Sequence, residues 1–297
     1  MNSGLLKNSH GAQPEIVFDG VFPDGIVGIQ LAAEAGNLLL GTHSGKLTLL
    51  SSTGDPLASD RNYRDLSQLV WSDSGTFGAA VLRDDKVVCF DRSLRTLWDV
   101  RVTGRVTALA ISAYGSHIAF STDGCRTHIV TVDKQEVTRF DTHRAFDHLA
   151  FLTEEPAIVG AAEFGTLASY DLDGKELWSE NVMNNIGDMS VSGCGRRILL
   201  SAFNHGVQLY SRGGKQRGAF MLDGIPSRVS GAKTRTRIAA ITLESRLYWL
   251  NFDGNVQWAV DLTADSPQHI QTGPLGDSLF LATMSGRLLH LSWNTGV

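Results

Sequence analysis

The segment from Phe164 to Trp178, FGTLASYDLDGKELW, contains a tight turn, an alternating strand, an Asp-Gly-Lys turn and a short strand that ends in tryptophan. Two segments follow the same plan: SRLYWLNFDGNVQW ends at Trp258, and DKVVCFDRSLRTLW ends at Trp98. Weaker copies are SGKLTLLSSTGDPLA, RTHIVTVDKQEVTRF, HGVQLYSRGGKQRGAF and, at the end of the chain, SGRLLHLSWNTGV. The chain is therefore read as seven copies of one structural unit.

The spacing of the copies indicates the kind of unit. The residues taken to close the first turn are Gly45, Asp85, Thr127, Gly165, Gly206, Ser245 and Gly286. They are separated by 40, 42, 38, 41, 39 and 41 residues. A second pair of strands precedes each turn, joined by Gly-bearing reversals such as SDSG and SAYG. Four short antiparallel strands with tight turns use about 40 residues, which is the period of one β-propeller blade.

The two ends of the chain complement each other. The last copy stops after its third strand, and the missing fourth strand is found near the N-terminus. PEIVF ends at Phe18, which lies 11 residues before Ile29, the interval that also separates Trp178 from Met189. We predict that residues 14–20 form the outer strand of the seventh blade, which covers an otherwise exposed sheet edge. Residues 1–13 are predicted to be a flexible N-terminus.

The predicted fold is all-β: a single closed seven-bladed β-propeller with four antiparallel strands per blade, formed by residues 14–297. The expected blades are 25–62, 66–103, 105–142, 146–183, 186–223, 226–263, and 267–297 together with 14–20.

The repeat endings resemble those of quinoprotein-like (PQQ-like) propellers, because Asp-Leu-Asp-Gly at 171–174 precedes Trp178 and Asn-Phe-Asp-Gly at 251–254 precedes Trp258. The Ser-Asp-Ser-Gly turn at 72–75 resembles the turns of WD-repeat proteins. This resemblance covers nearly the whole chain and implies an architecture. The fold supports many unrelated functions, so no activity is transferred from it.

Composition bears on the class of partner and on the compartment. The chain has 26 Lys and Arg against 31 Asp and Glu, a net charge of −5, and no basic run that would favour nucleic acid. No apolar run approaches the length of a membrane span or a signal peptide. The three cysteines are far apart, and we expect Cys89 to be a buried apolar residue and Cys125 an ordinary exposed thiol. These features favour a cytoplasmic protein without nucleic-acid binding or direct membrane insertion.

Candidate chemistry is sparse. Histidines predicted on loops are His43, His143, His148, His205 and His269, but no two blades repeat one at the same loop position. A metal-dependent hydrolase or lyase at the central channel is the alternative function. It could use these histidines, or Glu163, Asn204 and Glu244 as a Ca²⁺ or lactonase-type site. The Gly-rich stretches GCGRR and SRGGKQRG are interpreted as hairpin turns, because neither opens a helix as a phosphate loop does. We expect no cofactor, no bound metal and no catalytic residue.

The function that the sequence favours is a non-catalytic scaffold within a larger protein assembly. Aromatic and arginine residues on loops are common in protein-binding surfaces. The candidate partner-binding face comprises Tyr63, Arg64, His143, Arg144, Phe146, Phe164, Phe203 and His205. The phenylalanines have an alternative interpretation, in which they fold inward and cap the core.

Overall fold

A computed structural model describes residues 4–192, 195–233 and 237–293 of the chain. These residues form a single-turn 3₁₀ helix at Gly4–Leu6 and 29 β-strands. The first seven strands are β1 Ser9–Gly11, β2 Glu15–Val21, β3 Ile26–Leu31, β4 Leu38–Thr42, β5 Leu47–Leu50, β6 Pro56–Asp60 and β7 Leu66–Trp71. The next eleven are β8 Phe77–Leu82, β9 Lys86–Asp91, β10 Thr96–Arg101, β11 Val106–Ile111, β12 His117–Thr122, β13 Arg126–Thr131, β14 Glu136–Asp141, β15 His148–Phe151, β16 Ala157–Ala162, β17 Thr166–Asp171 and β18 Glu176–Asn181. The last eleven are β19 Ile186–Val191, β20 Arg197–Ala202, β21 Gly206–Ser211, β22 Gln216–Phe220, β23 Pro226–Gly231, β24 Arg237–Thr242, β25 Arg246–Asn251, β26 Val256–Asp261, β27 Pro267–Thr272, β28 Ser278–Thr283 and β29 Arg287–Ser292.

The strands form seven antiparallel sheets, and the fold class is the seven-bladed β-propeller that the repeat predicts. Six sheets contain four strands that are consecutive in the chain: β3–β6, β7–β10, β11–β14, β15–β18, β19–β22 and β23–β26. The seventh has the order β2-β29-β28-β27. In each sheet, the loop between the second and third strands lies at the same end as the loop that follows the fourth strand. We call this the 2–3 end.

The N-terminal strand completes the seventh sheet, as predicted. In β2, Glu15 pairs with Ser292 and Val21 with Arg287 of β29. The Arg287 guanidinium also donates to the Asp19 carboxylate through Nε at 2.7 Å. The N–H and C=O groups on the outer edge of β29 thus pair with strand β2 of the same chain.

Residues 4–12 differ from the flexible segment that the sequence predicts there. Strand β1 pairs with β26 and becomes a fifth strand of the sixth sheet, with Gly11 opposite Trp258. Leu5 and Leu6 pack on the buried core, and the Ala12 carbonyl oxygen accepts a hydrogen bond from Trp293 Nε1 at 2.8 Å. The prediction failed because the partners of this short segment lie about 250 residues away, outside any local sequence signal.

The burial of each strand follows from its position in the sheet. Second strands such as β16, Ala157–Ala162, are buried along their whole length because both faces pack on neighbouring structure. Fourth strands such as β10, Thr96–Arg101, alternate between exposed and half-buried residues. The continuous apolar runs and the alternating runs of the sequence therefore mark inner and outer strands.

The turn at the 2–3 end uses one residue with positive φ in every sheet. These residues are Gly45, Asp85, Cys125, Gly165, Gly206, Ser245 and Gly286. The third is Cys125 (φ 58°) and not Thr127, which is buried in β13, so the spacings become 40, 40, 40, 41, 39 and 41. The error arose because the residue with positive φ is a cysteine, a residue type that seldom adopts the left-handed region, although Gly124 lies directly before it.

Two aromatic residues of the fourth strands, Trp98 and Phe220, contact the next sheet along the chain. Trp98 Nε1 donates to the Val132 carbonyl oxygen of the third sheet at 2.6 Å. Phe220 packs on Gly254 in the last turn of the sixth sheet, where a Cβ atom would lie 2.6 Å from its ring and φ is +82°. The aromatic ring and the glycine therefore form one packing unit.

Gly254→Ala is expected to lower the free energy of unfolding by about 2 kcal/mol, because it adds backbone strain and a clash with Phe220. Gly213→Ala is the matched control, since Gly213 lies in the corresponding turn of the fifth sheet and its added Cβ would meet nothing within 4 Å. Urea unfolding of both variants provides the measurement. Equal stability losses would contradict the packing role of Gly254.

The contacts divide the chain into two compact units. One contains Gln30–Ser51 and Asp55–Met183, and its cores lie between sheets, as in the cluster of Cys89, Leu109, Ile118 and Phe120. The other contains Met1–Ile29, Ser52–Gly54 and Asn184–Val297. One of its cores is built around three tryptophans: the Trp249 and Trp293 rings stack 4.5 Å apart, and Trp258 meets Trp293 edge-on at 5.5 Å.

Candidate functional site

Exposed apolar side chains concentrate at the 2–3 end of the sheets. Among the described residues, fifteen large apolar side chains are exposed. Seven lie at the 2–3 end: Val21, Phe164, Met183, Met221, Ile225, Leu243 and Met284. Six others lie singly on fourth strands, and only Tyr114 and Leu275 lie on turns at the opposite end. The 2–3 ends of the individual sheets therefore carry seven of the fifteen exposed large apolar side chains in the described part of the chain, more than any other part of the sheets.

In the unit that contains Asp55–Met183, two of these residues lie on adjoining loops of the fourth sheet. Phe164 is 63% exposed and Met183 is 90% exposed. The Val182 N–H donates to the Gly165 carbonyl oxygen at 2.6 Å, so the residues next to Phe164 and Met183 are hydrogen-bonded to each other. The two apolar side chains are thus presented on a hydrogen-bonded pair of loops.

In the other unit, the sixth sheet has a similar arrangement around Ile225 and Leu243. The Leu243 N–H donates to the Ile225 carbonyl oxygen at 2.8 Å, and the Ile225 N–H donates to the Glu244 carboxylate at 2.9 Å. The hydrogen bond from Ile225 is the main cause that holds the pKa of Glu244 below its usual value. The Glu244 carboxylate therefore stabilises the backbone of the loop that carries the two apolar residues.

The loop around Met284 in the seventh sheet is held in the same way. The Met284 N–H donates to the Ser266 carbonyl oxygen at 2.8 Å, and the Ser285 N–H donates to Asp265 Oδ1 at 3.0 Å. Thr283 Oγ1 adds a hydrogen bond to Asp265 Oδ2 at 2.6 Å. The exposure of Met284 is therefore a property of an ordered loop.

Six of these seven residues were not predicted from the sequence: Val21, Met183, Met221, Ile225, Leu243 and Met284. A signal was present for two of them. Leu243 and Met284 lie two residues before the positive-φ residue of the turn, where the first four copies carry His43, Arg83, Asp123 and Glu163. An apolar residue at an otherwise polar repeat position marks an exposed hydrophobe. Met183, Met221 and Ile225 follow fourth strands, where they looked like ordinary strand ends.

Six of the eight residues proposed for the partner-binding face lie at least partly at the surface. Arg64, His143, Arg144, Phe164 and His205 are exposed. Phe203 is half-buried, because its ring packs against Gly187, where a Cβ atom would approach it to 2.7 Å.

Tyr63 and Phe146 were wrongly placed on the binding face. Both are 1% exposed. The Tyr63 ring meets Phe90 edge-on at 5.4 Å, its hydroxyl donates to the Leu94 carbonyl oxygen at 2.7 Å, and burial raises its pKa to about 12. Phe146 meets Tyr170 at 6.1 Å. Both rings fill space between sheets, which is the inward-folding alternative considered for the phenylalanines.

The residues considered for a metal-dependent hydrolase take part in turn structure. The Glu163 N–H donates to Asp147 Oδ2 at 2.7 Å, and the Asn204 N–H donates to Asn184 Oδ1 at 3.3 Å. Within residues 4–192, 195–233 and 237–293, no group of three His, Cys, Asp or Glu side chains is arranged to hold a metal ion.

The stretch SRGGKQRG forms a turn, as expected, with the Gly214 N–H donating to the Ser211 carbonyl oxygen at 3.0 Å. It borders an open cavity of about 610 Å³ whose lining includes the four cationic side chains of Arg196, Arg212, Lys215 and Arg217. Of GCGRR, Gly193 and Cys194 lie outside the described residues.

The two described cysteines are unpaired. Cys89 is fully buried, as predicted, and burial raises the pKa of its thiol to about 12. Cys125 is half-buried in the turn of the third sheet, and not fully exposed as expected.

No helix in the described part of the chain is long and apolar enough to cross a lipid bilayer. Neither a protein-family model nor a curated protein sequence matches this chain.

Proposed function

We propose that the protein is a non-catalytic scaffold that binds a protein partner through loops at the 2–3 end of its sheets, as a subunit or adaptor of a cytoplasmic assembly. The observation that carries this proposal is the concentration of exposed Phe, Met, Leu and Ile side chains on those loops. Apolar and aromatic side chains on ordered loops supply most of the binding energy in protein interfaces. Propeller folds commonly serve as interaction scaffolds, which supports the same function.

The loop structure also supports a binding role. Backbone hydrogen bonds at Gly165, Ile225 and Ser266 hold the exposed side chains before any partner arrives, so little conformational entropy is lost on binding. The carboxylates at these loops, Asp265 and Glu244, accept backbone hydrogen bonds. We further propose that the repeats are of the WD-repeat or PQQ-like type, because of their Ser-x-x-Gly turns and terminal tryptophans.

The double variant Phe164→Ser, Met183→Ser tests the proposal. We expect it to reduce recovery of a stoichiometric partner about tenfold or more when the tagged protein is purified from its native cell. Its unfolding temperature should stay nearly unchanged, since exposed substitutions shift stability by only about 0.5 kcal/mol. Recovery is measured by quantitative mass spectrometry of the co-purified proteins.

Leu177→Ser is the matched control. Leu177 is 50% exposed in the same sheet but lies on the fourth strand, β18, away from the loops. Equal loss of the partner in the control would contradict a site at the 2–3 end. A metal at about one per chain in the purified protein, with no partner, would instead favour the hydrolase or lyase.

A further inference from the structure

A cavity of about 670 Å³ lies between the second and third sheets, within the unit that contains Asp55–Met183. One wall is formed by Trp98 and Val100 of β10, and the other by Phe120, His128 and Val130 of β12 and β13. The His128 ring stacks on Phe120 at 4.8 Å and 11°. The volume of the cavity and its aromatic walls are typical of a ligand pocket.

This seam is unusually open. Third strands of the first four sheets repeat every 40 residues, and the positions equivalent to His128 and Val130 can be compared directly. Both residues are half-buried in the third sheet. Their counterparts in the first, second and fourth sheets are all buried: Thr48, Leu50, Val88, Phe90, Ala168 and Tyr170.

Two loop positions that carry aromatic rings beside the neighbouring seams carry valine beside this one. Tyr63 packs on Phe90, in the second sheet, and its N–H donates to the turn residue Gly45 at 3.0 Å. In the next loop, the N–H that donates to the equivalent turn residue, Asp85, belongs to Val102. Likewise Phe146, which packs on Tyr170, has its counterpart 40 residues earlier at Val106.

The loop between the second and third sheets, Val102 to Val106, therefore contains no aromatic residue. The neighbouring seams, before and after it, are each filled by a ring that a loop of this chain supplies. The cavity has room for the same kind of group. Its Val130, Lys134 and Glu136 correspond to Phe90, Leu94 and Thr96, which surround the Tyr63 ring or its hydroxyl.

The rim of the cavity is mainly cationic. Its lining includes Arg101, Arg126, Lys134 and Arg139 against the carboxylates of Asp123 and Glu136. Arg101 and Arg126 form ion pairs with Asp84 and Asp141 at 3.1 and 2.8 Å. Arg139 is exposed, and its side chain makes no hydrogen bond or ion pair within the described residues, so its guanidinium is available to a carboxylate.

We propose that this cavity binds an aromatic side chain of a partner polypeptide that has an acidic residue next to it. The ring lies against Trp98 and the His128–Phe120 stack, where edge-on or offset ring contacts are favourable. The neighbouring carboxylate pairs with Arg139. The cavity reaches loops at the 2–3 end of the second and third sheets, but its lining includes none of the seven exposed apolar residues described above. Neither proposal depends on the other.

Short peptides and NMR spectroscopy test the site. The probe is acetyl-Glu-Tyr-Glu-amide, and acetyl-Glu-Ala-Glu-amide is its control. We expect the tyrosine peptide to shift the Trp98 indole N–H resonance in a saturable way and to bind at least about tenfold more tightly than the alanine peptide. Trp98→Phe identifies the resonance. Equal shifts with both peptides, or no shift at about 5 mM tyrosine peptide, would refute the proposal.

Two variants locate the binding. Val102→Tyr supplies the missing ring from the chain itself and is expected to abolish peptide binding without lowering the unfolding temperature. Leu97→Tyr is the control and should bind normally, because Leu97 is 48% exposed on β10 and does not line the cavity. Arg139→Glu, at an exposed position, is expected to weaken binding about fivefold or more without any change of fold. Undiminished binding by a folded Val102→Tyr or by Arg139→Glu would place the peptide elsewhere and overturn the assignment.

Discussion

Removal of residues 1–21 is expected to abolish cooperative folding, whereas removal of residues 1–13 should leave a folded protein that is less stable by about 1–3 kcal/mol. The longer deletion removes strand β2 and leaves the N–H and C=O groups on the outer edge of β29 without partners, while its pairing with β28 remains. It also removes Phe18, whose ring packs on Gly54, and Asp19, which pairs with Arg287. The shorter deletion removes β1 and the hydrogen bond from Trp293 to Ala12.

Thermal unfolding followed by circular dichroism distinguishes the two deletions. A synthetic peptide of residues 14–24 should restore a sharp transition to the longer deletion in a concentration-dependent way, since it replaces the missing strand. If the protein without residues 1–21 melts as sharply and at the same temperature as the protein without residues 1–13, the role assigned to β2 is wrong.

Trp258→Ala is expected to lower the free energy of unfolding by about 3–5 kcal/mol. Trp258 is fully buried beside Trp293, in the core that Trp249 also joins. Alanine would leave a cavity in this cluster, because the surrounding rings cannot collapse fully into the space. Urea unfolding measures the loss.

Two further substitutions serve as controls for this loss. Trp178→Ala, at the same repeat position but half-buried, should cost about 1–2 kcal/mol. Trp258→Phe should cost only about 1 kcal/mol, since the ring packing is largely kept and the Trp258 Nε1 donor has no partner among the described residues. Comparable losses for Trp258→Ala and Trp178→Ala would show that burial does not set the cost.

Local signals in the sequence were sufficient for the architecture. Each copy carries its own turn residues and its own alternation, as in Phe164 to Trp178, so the strands and their order can be predicted without knowing what they pack against. The same local pattern placed residues 14–20 in the seventh sheet, because the 11-residue interval to the next strand is a property of the repeat. The local pattern failed at Cys125. Pairing of the two neighbouring strands places this residue in a left-handed turn conformation, which its residue type does not predict.

Only the tertiary structure decided which loop residues are available to a partner. Tyr63, Phe146 and Phe164 are all aromatic residues in or beside loops, yet the first two fill seams between sheets and the third is exposed. The difference depends on the space between strands that lie far apart in the chain, such as the room that Phe90 and Leu94 leave for Tyr63. A repeat pattern specifies backbone geometry locally. The burial of a loop side chain, in contrast, depends on the volumes of side chains from two sheets. For that reason the open seam beside His128 is visible only in the folded molecule.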